Sequence, residues 1–200
     1  MNRHSAKSAS SRRVPVGSSN NNSILTIGHS NRPLSEFLEM LQAHAVDLLV
    51  DVRTVPRSRY NPQFNLDALP GSLSEVGIGH RHMPGLGGLR HPRPDSRNTG
   101  WRNEHFRGYA DYMQTPDFKA NLDELLRLAE GRHVAIMCAE AVPWRCHRSL
   151  IADALTARGV GVRHIMSKTK ADAHKMTSFA QVDGTRVTYP PADLELFGGE

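Results

Sequence analysis

The fold is decided by residues 24–52, which read ILTIGHSNRPLSEFLEMLQAHAVDLLVDV. Residues 24–28 are apolar and rich in β-branched side chains, which predicts a strand. Apolar residues then recur at the i, i+3, i+4 and i+7 spacing of one buried helix face, namely Leu34, Phe37, Leu38 and Leu41. The apolar run at 46–52 predicts a second strand. A unit of strand, helix and strand predicts parallel strands that are covered by helices.

The same kind of pattern continues along the chain. It predicts helices at 66–76, 118–129 and 150–155 and strands at 78–83, 133–137 and 162–165, of which the last is expected to be the final strand. The loop at 84–103 is longer than compact domains usually keep without a function. We therefore expect an α/β fold, a three-layer sandwich with a mainly parallel central sheet and helices on both faces.

Composition divides the chain into three parts. Residues 1–22 hold four basic side chains, no acid and almost nothing apolar, which predicts a disordered basic arm. Residues 23–168 are expected to form a single α/β domain, followed by a C-terminal extension at 169–200. No apolar run approaches the roughly 20 residues of a membrane span, and no secretory signal is evident. We expect a cytoplasmic protein without membrane association.

The net charge of +5 is unevenly distributed. Residues 53–107 hold nine arginines against four acidic residues. The arginine guanidinium is a planar fork of donors that stays charged, so such a cluster suits phosphate groups or nucleic acid. The alternative is a solvated basic surface that binds no ligand.

The densest group of reactive side chains lies in residues 138–149, which read CAEAVPWRCHRS, between a predicted strand and a predicted helix. Backbone N–H groups at a helix N-terminus favour anions, including a thiolate. Cys138 is the candidate nucleophile, because Arg145, His147 or Arg148 could lower its pKa. The alternative is that Cys138 is a buried core residue.

Two carboxylates at the ends of predicted strands are further candidate catalytic residues. Glu140 and Asp51 lie at the ends of predicted strands, where the catalytic groups of open α/β sheets collect. Glu140 could act as a base or as an orienting group, or could instead pair with Arg148 or Arg53. The catalytic candidates are therefore Cys138, Glu140, His147 and Asp51.

The same loop also offers candidate metal ligands. Cys138, Cys146, His147 and His29 could assemble around an ion, but their spacing matches none of the common zinc patterns. We therefore expect no metal and no other cofactor. Two cysteines in a chain of this size fit reduced thiols rather than a disulfide scaffold.

The ligand-binding candidates lie on loops that follow the predicted strands: His29, Ser30, Asn31, Arg53, Arg57, Arg59, Tyr60, Arg145 and Arg148. The arginines could hold phosphates while Tyr60 stacks on a base, a combination typical of sites for single-stranded nucleic acid. Ser30 or Asn31 could instead cap the first helix. The expected ligand is a phosphate-containing small molecule or a nucleic acid.

Several short motifs carry a resemblance to a known family. They are Thr26-Ile-Gly-His-Ser30, Val50-Asp-Val-Arg53, Met83-Pro-Gly-Leu-Gly-Gly88, Phe106-Arg-Gly-Tyr109, Cys138-Ala-Glu140 and Cys146-His-Arg148. Together they resemble the family catalogued as domain of unknown function 488, over residues 24–166. The resemblance implies an α/β fold in which these motifs are grouped, and it brings no activity with it.

A weaker likeness is to rhodanese-type sulfurtransferases and their phosphatase relatives, which also have an Asp-Val-Arg strand end and a cysteine between a strand and a helix. It implies Cys138 as the nucleophile, with Arg145 or Arg148 holding an anion. The chain departs from that pattern, because Arg145 follows Cys138 by seven positions without a glycine-rich loop.

The C-terminal Asp193-Leu-Glu-Leu-Phe197 resembles the peptides through which bacterial DNA-repair and replication proteins bind the sliding clamp. The resemblance implies that Leu194, Leu196 and Phe197 contact the clamp, with Asp193 in the place of the usual glutamine. The alternative is a tail that docks on its own domain.

Three functions therefore stand as hypotheses. The first is a phosphate-binding or nucleic-acid-binding protein, with hydrolase or transferase activity in DNA metabolism. The second is a sulfurtransferase-like or phosphatase-like thiol enzyme that uses Cys138. The third is a non-catalytic adaptor associated with the sliding clamp.

Overall fold

The structure is a computed structural model that describes residues 23–191. The predicted basic arm at 1–22 lies outside the described residues, as do Leu194, Leu196 and Phe197 of the clamp-binding motif. Among the described helices, none combines the length and the apolar character that crossing a bilayer requires.

The described chain forms a large sheet, a small sheet and a set of α-helices. The strands are Ile24–Gly28 (β1), Leu48–Asp51 (β2), Gly79–His82 (β3), Val134–Cys138 (β4), Val162–Ser167 (β5), Lys170–Ala173 (β6), Gln181–Asp183 (β7) and Arg186–Thr188 (β8). The α-helices are Leu34–Ala43 (α1), Leu69–Glu75 (α2), Glu104–Tyr112 (α3), Pro116–Leu128 (α4) and Arg148–Thr156 (α5).

The large sheet has the strand order β3-β2-β4-β1-β5-β6. Its first five strands in that order are parallel, and β6 joins β5 in the antiparallel sense. The small sheet is the antiparallel pair β7-β8. Because β1, β2, β3 and β4 are parallel, the loops that follow them leave the sheet at the same edge.

Apolar side chains cover both faces of the large sheet. Along β4, Val134 and Ile136 belong to one buried cluster and Ala135 and Met137 to another, because successive strand residues point to opposite faces. The first cluster contains side chains of α3, α4 and α5, and the second contains side chains of α1 and α2. The predicted three-layer α/β sandwich is therefore confirmed.

Helix α1 shows how the local pattern produces the packing. Phe37 and Leu41, on the predicted apolar face, are fully buried, and Leu34 and Leu38 pack at the margin of the same cluster. Burying one such side chain contributes about 1.5–3 kcal/mol to folding.

The expectation that residues 162–165 form the final strand is wrong. The strand β5 at that position is followed by β6, which pairs with it, and then by the hairpin of β7 and β8. The β6 sequence, Lys-Ala-Asp-Ala, lacks an apolar pattern and joins the sheet through backbone hydrogen bonds, so periodicity could not reveal it. The sheet therefore continues past residue 168, into the stretch expected to be an extension.

A buried carboxylate helps to hold the long loop at 84–103 in place. Asp111, on α3, accepts hydrogen bonds from the backbone N–H of Arg93 at 2.8 Å, from Ser96 Oγ at 2.7 Å and from Asn98 Nδ2 at 2.7 Å. Helix α3 itself was not predicted. Asn103 caps it by accepting from the backbone N–H groups of His105 and Phe106.

Candidate functional site

The loops that follow β1, β2 and β4 meet at the carboxyl edge of the sheet. Gly28 lies beside Cys138 in the register of β1 and β4, and Asp51 lies beside Met137 in that of β2 and β4. An open cleft of about 520 Å³ lies between the three loops; we call it the edge cleft. Six predicted site residues line it: His29, Ser30, Asn31, Arg53, Arg57 and Glu140.

Arg53 forms a buried ion pair at the base of the edge cleft. Its Nη2 lies 2.6 Å from Asp51 Oδ2 and its Nε lies 2.9 Å from Asp51 Oδ1. The same guanidinium donates to the carbonyl oxygen of Phe64 at 2.6 Å. Because Asp51 neutralises it, Arg53 contributes little net charge to the cleft, and Asp51 is occupied by holding Arg53.

His29 also lies at the bottom of the edge cleft, beside the ion pair of Arg53 and Asp51. Its Nδ1 lies 2.7 Å from the carbonyl oxygen of Ser30, and its Nε2 lies 3.1 Å from Arg53 Nη1. Burial, together with the nearby positive charge of Arg53, lowers the pKa of His29 to about 4. At neutral pH the ring is therefore uncharged, with its proton on Nδ1 and its Nε2 accepting from Arg53.

The loop after β1 carries local backbone strain. Ser30 has a φ of 52°, which is in the left-handed region that non-glycine residues rarely adopt. Its N–H donates to the carbonyl oxygen of Ala139 at 2.8 Å, which ties this loop to the one after β4. The residue before α1 is Pro33, and no side chain caps the helix, so neither Ser30 nor Asn31 has the capping role considered above.

Glu140 presents a free carboxylate to the edge cleft. Its side chain is exposed and has no ion pair among residues 23–191, so the alternative pairing with Arg148 or Arg53 does not form. Its main-chain oxygen instead accepts from Arg148 Nη2 at 2.6 Å. The carboxylate is therefore available to a ligand in the cleft.

The basic side chains of this edge fall into two groups. Arg57, Arg59 and Arg145 are exposed and have no acidic partner within the described chain. By contrast, Arg53 and Arg148 are buried and use their guanidinium groups on protein partners. The charge available to a ligand therefore comes from the exposed group. Only Arg57 of that group lines the edge cleft.

The two cysteines lie together with His147 under the loop after β4. His147 Nδ1 lies 3.9 Å from Cys138 Sγ and 3.7 Å from Cys146 Sγ. We call these three residues the thiol cluster. Cys138 and Cys146 are only 7% and 3% exposed, and neither lines the edge cleft. Cys138 also belongs to the apolar core, as its alternative interpretation expected.

Within the thiol cluster Cys146 has the lower pKa. The hydrogen bond with Cys146 and burial raise the pKa of Cys138 well above its usual value. Burial also raises the pKa of Cys146, but hydrogen bonds from Cys138 and His147 and the charge of Arg148 outweigh it and lower that pKa. The lowering that the sequence predicted for Cys138 is found at Cys146.

Arg148 connects the thiol cluster to the sheet. It is 1% exposed, and its Nε lies 3.4 Å from Cys146 Sγ. Its Nη1 donates to Thr26 Oγ1 at 3.2 Å, and its Nη2 donates to the carbonyl oxygen of Glu140. Every guanidinium nitrogen therefore has a protein partner, which makes Arg148 a buried brace between β1, α5 and the loop after β4.

Comparison with known families agrees with this geometry. The family model described as Domain of unknown function DUF488 matches residues 33–155, which is more than half of the chain. The chain belongs to the DUF488 family. No curated protein matches the chain, and neither does any solved structure. The DUF488 match includes the loops after β2 and β4 and all three residues of the thiol cluster.

Sequence reasoning missed a buried network of four residues, three of which lie outside the DUF488 match. Thr26 Oγ1 lies 2.8 Å from His164 Nδ1, and His164 Nε2 lies 3.0 Å from His174 Nδ1. His174 Nε2 lies 2.7 Å from Asp153 Oδ1. We call these four residues the histidine chain. One signal was available: Asp153 stands on the apolar face of a predicted helix, where a carboxylate needs a partner.

One set of hydrogen-bond directions that satisfies the whole histidine chain starts at Arg148 and ends at Asp153. Arg148 donates to Thr26, so the Thr26 hydroxyl is free to donate to His164 Nδ1. His164 Nε2 then donates to His174 Nδ1, and His174 Nε2 donates to Asp153. His164 and His174 also line a second cavity, of about 610 Å³, beside Trp101 and Trp144.

Proposed function

We propose that this DUF488 protein binds a phosphate-containing ligand in the edge cleft, and that the ligand is single-stranded nucleic acid. The observation that carries the proposal is Arg57, an exposed guanidinium in the cleft without an acidic partner among the described residues. Ser30 and Asn31 add neutral hydrogen-bonding groups to the same cleft. Arginine with neutral donors is the combination that binds phosphate oxygens.

Side chains beyond the edge cleft favour an extended ligand over a small one. Arg59 and Tyr60 follow Arg57 on the same loop, and Tyr60 is 95% exposed. Arg145 is exposed on the loop after β4. An exposed aromatic ring next to unpaired arginines suits a strand whose bases stack while its phosphates are neutralised.

Glu140 is the group in the edge cleft that could act on such a ligand. Its carboxylate is exposed, unpaired within residues 23–191, and lies on the same cleft as Arg57. A carboxylate near a bound phosphate can accept a proton from a water or hydroxyl nucleophile, which is the general-base step of a hydrolase or transferase. We therefore propose Glu140 as the catalytic residue.

The thiol-enzyme hypothesis has less support. Cys138, its expected nucleophile, is buried in the core, and its raised pKa keeps the thiol protonated at neutral pH. Arg145 is exposed, and Arg148 is already bonded to Thr26 and Glu140, so neither is positioned as a free anion holder beside Cys138.

Fluorescence anisotropy with a labelled single-stranded oligonucleotide tests the proposal. About three phosphate contacts predict a salt slope near −2, which corresponds to roughly a 20-fold loss of affinity between 50 and 200 mM salt. Arg57→Ala is expected to weaken binding several-fold and to reduce the slope by about 0.7. An excess of a nucleoside monophosphate shows whether a small phosphate ligand suffices to displace the strand.

Matched variants show whether the oligonucleotide binds specifically in the edge cleft or non-specifically to the basic surface. Arg132→Ala removes an arginine at the amino end of β4, the opposite edge of the sheet, and is expected to leave affinity unchanged. Glu140→Gln removes a negative charge from the cleft, so binding should be retained or improved while any turnover is lost. Equal effects of Arg57→Ala and Arg132→Ala, or binding that is insensitive to salt, would contradict the proposal.

A further inference from the structure

The thiol cluster contains the ligand types of a zinc site. Cys138, Cys146 and His147 each offer one ligand atom, and these atoms all lie within 4.8 Å of one another. The two cysteines are free thiols rather than a disulfide. Thiolate and imidazole ligands together suit zinc and similar soft or borderline ions.

The distances within the cluster fit a tetrahedral ion. With Zn–S bonds of about 2.3 Å and Zn–N bonds of about 2.0–2.1 Å, tetrahedral angles place a sulfur and a nitrogen about 3.6 Å apart. The two distances from His147 Nδ1 to the sulfurs are 3.9 and 3.7 Å. Each of these two distances is within a few tenths of an ångström of the distance that a tetrahedral ion requires.

The ligands are carried on elements that are already ordered. Cys138 is the last residue of β4 and pairs in register with Gly28. Cys146 ends a short 3-10 helix, where its N–H donates to the carbonyl oxygen of Pro143, and His147 lies immediately before α5. A site held by a strand end and a helix start needs little reorganisation when the ion binds.

The surroundings also suit a bound ion. Arg148 Nε donates to Cys146 Sγ at 3.4 Å, an outer contact that stabilises a thiolate ligand. A Cβ atom at Gly88 would lie 3.0 Å from His147 Nδ1, so the glycine leaves space beside the ligand atom. His147 Nε2 is buried without a partner in the described chain, and it carries the ring proton when Nδ1 binds a metal.

We propose that Cys138, Cys146 and His147 bind one zinc ion. The described residues supply three ligands, so the fourth position is left to water or to a ligand atom. Three protein ligands and one open position are typical of catalytic rather than structural zinc. This inference uses residues outside the edge cleft and does not depend on nucleic-acid binding there.

Binding of the ion must release protons. A cysteine thiol has to be deprotonated to become a zinc ligand. The affinity for zinc is therefore expected to fall as the pH is lowered from 7.5 to about 6. Proton release measured during zinc addition in weak buffer reports the same step.

The test uses the full chain, purified under reducing conditions and stripped of metal with a chelator. Zn²⁺ is titrated against a coloured chelator, and Co²⁺ serves as a spectroscopic probe. We expect about one equivalent of metal per chain, with the near-ultraviolet thiolate-to-cobalt band and the intense visible bands of tetrahedral Co²⁺. Less than about 0.1 equivalent, or a spectrum without the thiolate band, would overturn the proposal.

Substitutions of single residues in the thiol cluster show which side chains bind the zinc ion. Cys138→Ser, Cys146→Ser and His147→Gln are each expected to weaken zinc binding at least about 100-fold, more than loss of an outer-shell partner usually does. His105→Gln, an exposed histidine on α3, is the matched control and should bind as the original chain does. Ligand variants that bind zinc as tightly as this control would refute the assignment.

A second measurement needs no variant and so does not depend on whether the substituted chains fold. Bound zinc is expected to protect Cys138 and Cys146 from alkylation, which mass spectrometry of the unaltered chain detects at each cysteine. Equal alkylation of both cysteines with and without zinc would count against the site. So would a Cys138–Cys146 disulfide that persists under reducing conditions with excess zinc.

Discussion

Gly28, the last residue of β1, allows the edge of the sheet to close. A Cβ atom there would lie 1.8 Å from the carbonyl oxygen of Glu140 and 2.8 Å from Arg148 Nη2. The first of these is a backbone atom, which cannot move without displacing the loop after β4. The absence of a side chain at Gly28 is therefore what lets Arg148 reach Glu140.

We predict that Gly28→Ala destabilises the protein by about 3 kcal/mol, because the added methyl group overpacks this contact. Urea denaturation followed by circular dichroism measures the change. Gly71→Ala is the control, since a Cβ atom there meets nothing within 4 Å inside α2. Because alanine favours helix over glycine, the control should be neutral or stabilising by about 0.5–1 kcal/mol. Equal unfolding midpoints for Gly28→Ala and the original chain would refute the prediction.

His164 makes stability depend on pH. Burial lowers its pKa to about 4, from an unfolded value of 6.5, so between these values the unfolded chain binds a proton that the folded chain does not. The stabilisation is fully present above pH 6.5 and is lost as the pH falls towards 4. We expect a loss on the order of 2 kcal/mol from this group, measured by urea denaturation at pH 7 and pH 4.5.

A substitution isolates the contribution of His164. In His164→Gln the amide oxygen can accept from Thr26 and the amide nitrogen can donate to His174, but the side chain does not titrate. The decline in stability between pH 7 and 4.5 should therefore be smaller than in the original chain. His105→Gln, which alters an exposed histidine, should leave that decline unchanged.

At the scale of elements, Asp153 joins α5 to the segment that follows β6. Its Oδ1 accepts from His174 Nε2 at 2.7 Å and from the N–H of Thr177 at 3.0 Å. Its Oδ2 accepts from Thr177 Oγ1 and from the Tyr189 hydroxyl, each at 2.7 Å. Four donors converge on one buried carboxylate, so this segment is attached to α5 by a single polar centre.

We predict that Asp153→Asn costs about 3 kcal/mol of stability, because the new amide group turns a donor towards other donors in a buried site. The urea unfolding midpoint measures the loss. Limited proteolysis should also cut the segment at 174–189 earlier in this variant. Asp183→Asn changes an exposed carboxylate on β7 and is expected to alter stability by less than about 0.5 kcal/mol. A similar midpoint for the two variants would contradict the role of Asp153.

At the scale of the whole molecule, its basic character is concentrated where charges remain unpaired. Arg81 and Glu124 form an exposed ion pair at 2.9 Å, and Arg93 and Asp95 form another at 3.2 Å. Exposed pairs of this kind contribute little to stability but remove net charge from the surface. The unpaired positive charge in residues 53–107 is therefore smaller, and confined to fewer positions, than the number of arginines there indicates.

The proposed clamp interaction also belongs to this scale, since it would join the folded domain to another protein. It rests on the sequence of residues 193–197 alone. A labelled peptide of these residues should bind a bacterial sliding clamp in an anisotropy titration, and a peptide with Leu196→Ala and Phe197→Ala should not. No binding at millimolar peptide would reject the interaction.

The predictable parts of the fold are those that depend on local pattern. The spacing of Phe37 and Leu41 predicted a buried face for α1, because burying that face is what stabilises the helix. The alternation of strands and helices in the sequence also predicted parallel strands. Parallel strands place the loops after β1, β2 and β4 at the same edge of the sheet. Strand β6 could not be predicted in this way, because its place depends on hydrogen bonds to β5 rather than on its side chains.

The candidate site was predictable in position but not in detail. His29, Arg57 and Glu140 meet in the edge cleft as expected, because each follows a strand of the same parallel sheet. Spacing along the chain gave no indication that Arg53 and Arg148 are buried and already bonded, or that the pKa is lowered at Cys146 rather than Cys138.

By itself, the sequence determined the α/β class, the order of most elements and the edge at which the polar loops collect, because these follow from hydrophobic periodicity and strand direction. Only the tertiary structure decided which arginines are free of acidic partners, which of the two thiols has the lower pKa, and that Thr26, His164, His174 and Asp153 form one chain of hydrogen bonds. These depend on distances between residues far apart in sequence, and on burial, which sets the cost of an unpaired charge.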